Sequence, residues 1–457
     1  MINEALVLAG GAGEKFWPFQ SSRNKAMTPI SNTPLLGHTV EALLKAGVQH
    51  LVIATVTHPD SIVHAFRKCP EVEVVALTAS KGSADTFRQG LGRLHHPQNP
   101  FVVLFGDCLI QPEDLVPFIE HGQLDDALVY PLRESARNYI ACSLQDGVIS
   151  AFGGHHRGEL MTHAMVGFIT DHTLVSVCEA NPGRFTNLKV GVGSPEEHFI
   201  EVSLMDAMTD GKRLRAVMAQ HPVFDLDKPW HALEANAWIN RKRTMALTET
   251  RLADGASIDP SARIDGFVQL GKNSRIGRHV WVRGPIIVGD DTVVDNGVVI
   301  GAYSVIGDQC ELLNYAKMGE GTTLGHRCKM DQGFEIITGL IMDHVYLVHY
   351  GEFYGMIGEN TDIGAGTTCG TLRFDDGVTQ HTVKGRKEIP THFANASYLG
   401  DHSRTGVCAV LLPGVKVGTN SVVGSGVILN EDVEDHTLIY AKQETVKVPW
   451  GPNKYGW

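Results

Sequence analysis

The sequence predicts an α/β, Rossmann-like domain followed by an all-β, left-handed parallel β-helix. Two observations carry this reading. Residues 1–228 alternate short apolar runs with amphipathic stretches in β-α-β order, which implies a mostly parallel sheet covered by helices. Beyond them, twelve apolar residues stand six positions apart without a slip: Ile258, Ile264, Leu270, Ile276, Val282, Val288, Val294, Ile300, Ile306, Leu312, Met318 and Leu324. With roughly 45% apolar usage, such a run has odds of about one in ten thousand, so it is not coincidence. Six residues per repeat suit neither an α-helix nor a flat sheet. They suit a solenoid in which each hexad forms one short face and three faces close a coil.

The elements follow in order. Ala5–Ala9 reads as a strand, Leu35–Ala46 as a helix and His50–Thr55 as a strand. Ser61–Arg67 is then a helix, Val72–Leu77 a strand, Ala84–Leu94 a helix and Phe101–Phe105 a strand. Ligands of such sheets bind at the carboxyl ends of the strands. After Pro229 a helical stretch over 229–252 links the domains, and its basic triplet Arg241-Lys242-Arg243 is expected to be a solvated helix end. The β-helix is expected over 253–443, with a tail over 444–457. Seven of the twelve core positions precede a glycine (Gly271, Gly277, Gly289, Gly301, Gly307, Gly319 and Gly325), which suggests that glycine lets the backbone turn the corner. The pattern fades around 325–356 and returns at Ile357 and Ile363, shifted by three. Segments 325–356 and 373–398 are therefore expected to be loops or looser coils inserted into the solenoid.

Composition narrows the function classes. A formal charge of −12 argues against a nucleic-acid partner. The eight cysteines form no C-x-x-C pair, which indicates neither a zinc knuckle nor a disulfide framework and fits a reducing compartment. No apolar run reaches the length of a membrane span, and the N-terminus runs straight into a strand without a leader pattern, so a cytoplasmic protein is expected.

The chemistry-bearing residues cluster after the first strand. In Leu8-Ala9-Gly10-Gly11-Ala12-Gly13-Glu14-Lys15, glycines allow backbone N–H groups close to phosphate oxygens and a cation follows. The loop is neither a dinucleotide fingerprint, since Phe16 stands where a third glycine belongs, nor a Walker A motif. It leaves a phosphate cradle and a plain turn both open. Further on come Asn24-Lys25-Ala26-Met27-Thr28-Pro29, Gly82-Ser83-Ala84-Asp85, Phe105-Gly106-Asp107 and Phe224-Asp225-Leu226-Asp227-Lys228-Pro229-Trp230.

This series, in this order, resembles the sugar-1-phosphate nucleotidylyltransferases, in particular two-domain members with a β-helix such as the bifunctional N-acetylglucosamine-1-phosphate uridylyltransferase/acetyltransferases. The resemblance spans nearly the whole chain and makes the first domain a nucleotidyltransferase domain. It implies that Leu8, Gly10, Gly11 and Gly13 hold the nucleotide phosphates and that Gly82 and Ser83 flank base and ribose. Lys15 and Lys25 would neutralise charge at the reacting centre, and Asp107 and Asp225 would hold Mg2+. Asp107 would also face the nucleotide, while Glu201 and Gly167 would contact the substrate. The implied partners are an NTP (UTP, dTTP or CTP) and a phosphorylated small-molecule acceptor, with a homotrimer formed through the β-helix.

The chain also departs from the family. Lys15 replaces the usual arginine and loses its bidentate fork. The family's Glu-Lys-Pro is replaced by Gly153-Gly154-His155, Met165 stands where asparagine is frequent, and a uracil-reading glutamine falls near Ser80. In the β-helix, His349 and Tyr350 lie about where the acetyltransferase histidine belongs, but its asparagine and lysine positions read Thr371 and Ala394. Weak transferase activity, a nucleotide-binding scaffold or regulatory subunit, and acyl transfer through the β-helix stand as alternatives.

Overall fold

The computed structural model describes residues 2–132, 138–154, 161–181, 183 and 197–451. The first domain is built on a nine-stranded mixed sheet. Its parallel half contains β1 (Glu4–Leu8), β2 (His50–Thr55), β3 (Val72–Ala76) and β4 (Phe101–Phe105), with α1 (Leu35–Lys45), α2 (Pro59–Phe66) and α3 (Ser83–Leu91) in the connections. Every residue of β1 and β4 is buried, as expected for central strands covered on both faces. β1 pairs with β2 on one side and β4 on the other, so the chain reverses direction across the sheet at β1. The crevice at such a switch point, beyond the carboxyl ends of β1 and β4, is where the glycine loop and Asp107 emerge.

The antiparallel half follows. After β5 (Cys108–Leu109) and α4 (Pro112–His121) come β6 (Asp126–Pro131), β7 (Ile140–Gln145), β8 (Val148–Gly154) and β9 (His163–Thr170). Then α5 (Leu174–Glu179) and α6 (Ile200–Thr209) precede β10 (Arg215–Met218) and β11 (Phe224–Asp225). The sheet order is β3-β2-β1-β4-β9-β6-β10-β8-β7. β11 pairs antiparallel with β5, Asp225 opposite Cys108, and this two-stranded ribbon brings Asp225 beside Asp107.

Helix α7 (Pro229–Met245) ends earlier than the sequence suggested, because Arg251–Leu252 already pairs with Gln269–Leu270 as the first rung of the solenoid. Its basic triplet is only partly solvated: Arg241 stays exposed, whereas Lys242 and Arg243 are half-buried. Lys242 bonds Glu113 at 2.6 Å, Arg243 donates to the Ser31 carbonyl, and the Arg241 guanidinium lies 4.5 Å over the Tyr303 ring. These contacts tie α7 to both domains. Alongside, Phe16, Phe19, Ile30 and Leu35 share one buried cluster with Leu233, Ile239, Met342, Met356 and Tyr398.

The second domain is a three-faced parallel β-helix. Leu270 pairs with Val288, Ile276 with Val294 and Val282 with Ile300, each eighteen residues on, and all six side chains are buried along the axis. The hexad glycines serve a different purpose from the one the sequence suggested. None of the seven has a positive φ; left-handed corners are taken by residues such as Asn273, Asp291 and Asn296. The glycines lie where successive coils approach most closely. A Cβ on Gly271 would come 2.4 Å from the Gly289 carbonyl carbon, and one on Gly319 would come 1.7 Å from the Ile337 oxygen.

Segment 325–356 is also not a loop. Met330, Ile336, Ile341, Leu347 and Phe353 continue the buried axis. The coils shorten instead: Ile306 lies beside Leu324 eighteen residues on, Leu324 beside Ile341 seventeen on, and Ile341 beside Ile357 sixteen on. Longer strands at Glu335–Ile341 and Glu352–Ile357 carry the chain around these tightened corners, and the lost residues produce the shift of three. The second expected insertion is present. Ile357 pairs with Leu399, so an insertion leaves the solenoid between Cys369 and Ser397 and forms a hairpin, His381–Val383 against Arg386–Glu388.

Candidate active site

The glycine loop leaves β1 beside a cavity of about 500 Å3. Leu8, Gly10 and Gly11 line it together with Ser80, Gly82, Ser83, Thr86 and Asp107, and Asn138, Tyr139, Met165, Glu201 and Asp225 close the other side. Two glycines are there for space. A Cβ on Gly10 would lie 2.5 Å from Thr86 Oγ1, and one on Gly82, whose φ is 141°, would lie 2.6 Å from the His198 carbonyl oxygen. Gly13 takes the left-handed conformation that turns the loop into a single helical turn carrying Lys15. The Ser83 hydroxyl accepts from Ile200 N at 2.8 Å and so fixes the start of α6.

Lys25 is held by its neighbour. Asn24 caps the turn Lys25–Met27 by accepting from Ala26 N at 2.9 Å, and its amide donates to Thr55 Oγ1 at 2.9 Å and to the Thr57 carbonyl at 3.0 Å. The Lys25 ammonium thereby reaches Asp107 Oδ2 at 2.7 Å. Burial alone would lower its pKa; Asp107, Asp225 and Asp227 outweigh that and hold it above its ordinary value. For Asp225, burial and then repulsion from Asp107 push the carboxyl well above the usual range, with Lys25 opposing. Asp227 behaves oppositely: burial is overcome by Lys228, Lys25 and Lys15, which hold it below the usual range. Its Oδ2 accepts from Lys15 at 3.2 Å and Lys228 at 2.8 Å.

Ligand atoms of Asp107, Cys108 and Asp225 lie within 4.8 Å of one another. Two carboxylates that repel each other suit a hard divalent cation, which would relieve the repulsion. The Cys108 thiol does not suit one, because burial and the adjacent carboxylates push its pKa well above the ordinary thiol value and keep it protonated.

On the other side of the cavity, Glu201 is buried and, among the described residues, neither carboxyl oxygen has a side-chain hydrogen-bond partner. Burial raises its pKa to about 7, opposed by the backbone N–H of Glu201 itself and assisted by Glu197. A buried, unpartnered carboxyl lining a cavity is a receptor for a donor that a ligand would bring. Gly167 is placed differently. It lies in the sheet opposite Leu104, where a Cβ would meet Leu104 Cδ2 at 2.6 Å, and Met165 on the same strand faces the cavity instead. His155, part of the altered acceptor motif, falls outside the described residues. His349 and Tyr350 are exposed at a solenoid corner, and neither lines either of the two large cavities.

The sequence reading missed three features. Asn24 has no catalytic residue type, yet it orients Lys25. Asp227 is read in the sequence only as part of the motif before Pro229, whereas it clasps Lys15 and Lys228. The contribution of the second domain had no local signal at all. The loop after Lys15 is docked on the solenoid: Trp17 Nε1 donates to Asp435 at 2.9 Å, Ser21 to Asp435 at 2.6 Å, and Arg23 to Asp401 at 2.6 Å. Ser22 also bonds Asp401, and Arg23 lies 3.1 Å from Glu359. The end of the glycine loop is thus braced by coils 378 to 418 residues away in sequence.

Comparison with known proteins matches the two domains separately. Residues 4–134 match the family described as nucleotidyl transferase, and residues 268–302 and 399–431 match the hexapeptide repeat of succinyl-transferase. The chain is 27% identical over 463 residues to the bifunctional protein GlmU of Methanococcus maripaludis strain C7, covering 97% of this chain and 98% of that protein. It is 23% identical over 439 residues to the bifunctional sugar-1-phosphate nucleotidylyltransferase/acetyltransferase of Sulfurisphaera tokodaii, covering 94% and 98%. Among solved structures, a UDP-glucose pyrophosphorylase complexed with UDP-glucose aligns with a TM-score of 0.45 at 20% identity, covering 53% of this chain and all of that one.

Proposed function

From the premise that this chain joins a nucleotidyl transferase domain to a hexapeptide-repeat β-helix, we propose that it transfers a nucleotidyl group from an NTP to a sugar 1-phosphate or similar phosphate. The observation that carries the reading is the convergence of Gly10, Gly11, Lys25, Asp107 and Asp225 on one crevice. A phosphate oxygen of the acceptor attacks the α-phosphorus in line, the bond to the β-phosphate breaks, and pyrophosphate leaves with the electron pair. The attacking oxygen is already anionic, so no general base is required. Catalysis then rests on positioning and on neutralising charge.

The residues divide the work. Backbone N–H groups of the Gly10–Gly13 loop face the phosphates, and Lys25 and Lys15 supply positive charge beside them. Asp107 and Asp225 would hold Mg2+, whose chemistry there is to draw phosphate oxygens together and offset their charge. Glu201 offers its carboxyl to a hydroxyl or amide of the acceptor. Lys15 takes the arginine's place as a point charge, which sets charge neutralisation above bidentate geometry.

Support comes from relatives that align over nearly their whole lengths, one of which is named a bifunctional sugar-1-phosphate nucleotidylyltransferase/acetyltransferase. Those names also include an acetyltransferase, and acyl transfer at the solenoid corner around His349 and Tyr350 is the second reading. No CoA binding, or unchanged CoA release after His349→Ala, would remove it. Exposed apolar side chains on the solenoid, among them Tyr350, Leu372, Val407 and Ile428, fit a homotrimer, which light scattering would test. None of the eight cysteines is in a disulfide, which fits a cytoplasmic location, and no described helix is long and apolar enough to cross a membrane. The transferase reading itself is tested by measuring pyrophosphate release across NTP and sugar-phosphate pairs; nucleotide binding without turnover for any pair would favour a scaffold.

A further inference from the structure

A second cavity, of about 520 Å3, lies on the far side of Asp225. It shares Asn138, Tyr139 and Asp225 with the nucleotide cavity, so the two meet at the reacting centre. One wall comes from the first domain: Lys228, Trp230, His231 and Glu234. The other comes from the solenoid insertion: Lys387, Glu388 and the segment to Thr391.

The insertion is fixed in this position. The buried His381 ring packs 5.0 Å from Trp230 and bonds the Ala394 carbonyl at 2.7 Å. Lys384 pairs with Glu14, the residue before Lys15, and Glu388 reaches Lys228 at 3.1 Å. Lys228 and Lys15 share Asp227 Oδ2. The hairpin therefore abuts the end of the glycine loop, the side on which the β- and γ-phosphates would lie. Among the described residues, Lys387 donates to Thr382 Oγ1 at 2.8 Å and pairs with no carboxylate.

Building on the nucleotidyltransferase reading, we propose that this cross-domain cavity is a pyrophosphate-release chamber: Lys228 and Lys387 receive the leaving group, and Glu388 competes for Lys228 to return it to solvent. The ligand class is a small polyanion, inorganic pyrophosphate, which demands cations in a polar chamber next to the α-phosphorus. A permanent carboxylate partner on one of those cations limits affinity, so the product is not trapped. The β-helix in this account belongs to the first domain's reaction.

Neighbouring residues of the chamber should then have opposite effects. In the full-length protein, Lys387→Ala should raise the KM for pyrophosphate in the reverse reaction about tenfold, the worth of one hydrogen bond between charged groups. Glu388→Gln should lower that KM and strengthen product inhibition by pyrophosphate in the forward direction. The KM values for NTP, nucleotide sugar and acceptor should not move. Lys387→Arg keeps the charge and should rescue the pyrophosphate KM, which separates charge from hairpin folding. Shifts of both variants in the same direction, or a change confined to acceptor KM, would overturn the chamber. Calorimetry with inorganic pyrophosphate gives an independent readout: if wild type shows no turnover, the nucleotidyltransferase reading fails, while pyrophosphate binding lost in Lys387→Ala still supports the chamber.

Discussion

Replacing Glu201 by glutamine should remove a stability penalty that grows with pH. In the folded chain the carboxyl is buried, has no side-chain partner among the described residues, and binds its proton up to about pH 7, whereas the ordinary value is 4.5. Below pH 4.5 the group is protonated in both states and costs nothing. Between 4.5 and 7 the unfolded chain releases the proton while the folded chain keeps it, so stability falls as pH rises. Above 7 the folded chain holds a buried charge and the penalty is complete. The separation between 4.5 and about 7 is worth about 3 kcal/mol, at about 1.4 kcal/mol for each tenfold change in proton affinity. Urea unfolding of wild type and Glu201→Gln, followed by fluorescence at several pH values, measures the difference. The variant should gain on wild type by about 3 kcal/mol from pH 4.5 to 8, with any packing defect appearing as a constant offset. A difference that stays flat across this range, or grows toward acid, would refute the buried and unpaired carboxyl.

Three other expectations can be checked on the same protein. Asn24→Ala should cost about 1–3 kcal/mol by leaving buried groups unsatisfied, and turnover should fall further than stability explains because Lys25 loses its orientation; thermal melting beside initial rates separates the two. Gly319→Ala should destabilise the β-helix by more than about 2 kcal/mol, because its Cβ would meet the Ile337 oxygen at 1.7 Å, and unchanged melting would contradict the close coil approach. Arg23→Ala should cost about 3–5 kcal/mol, since it strands the buried Asp401 without its cation. It should also weaken nucleotide binding, measured by calorimetry, because the phosphate-loop end loses its brace.

Legibility in the sequence followed the range of the interactions. The hexad register was plain because each coil packs on one eighteen residues away, and the parallel strands were plain because burial on both faces leaves continuous apolar runs. The shortening of coils at Ile341 and Ile357 looked like a lost pattern, since a periodic reading cannot distinguish missing residues from a loop. The hexad glycines were read as turning residues, but their reason is a neighbouring coil that the local sequence does not contain. In the site, Lys25, Asp107 and Asp225 were singled out through the family resemblance, and the structure brings them together. Asn24, the Asp227 clasp and the bracing of Trp17, Ser21 and Arg23 by Asp401 and Asp435 depend on contacts between distant segments and left no local trace.

In the proposed reaction Asp107 and Asp225 anchor nucleotidyl transfer in the crevice of the first domain. The most direct measurement follows α-labelled NTP through a panel of sugar 1-phosphates with Mg2+ present, in wild type and in Asp107→Asn and Asp225→Asn. Label should appear in a nucleotide sugar with one pyrophosphate released per transfer, and transfer should fall at least about a hundredfold in either variant. Transfer that persists in both variants, or the absence of labelled product from wild type with every pair, would contradict it.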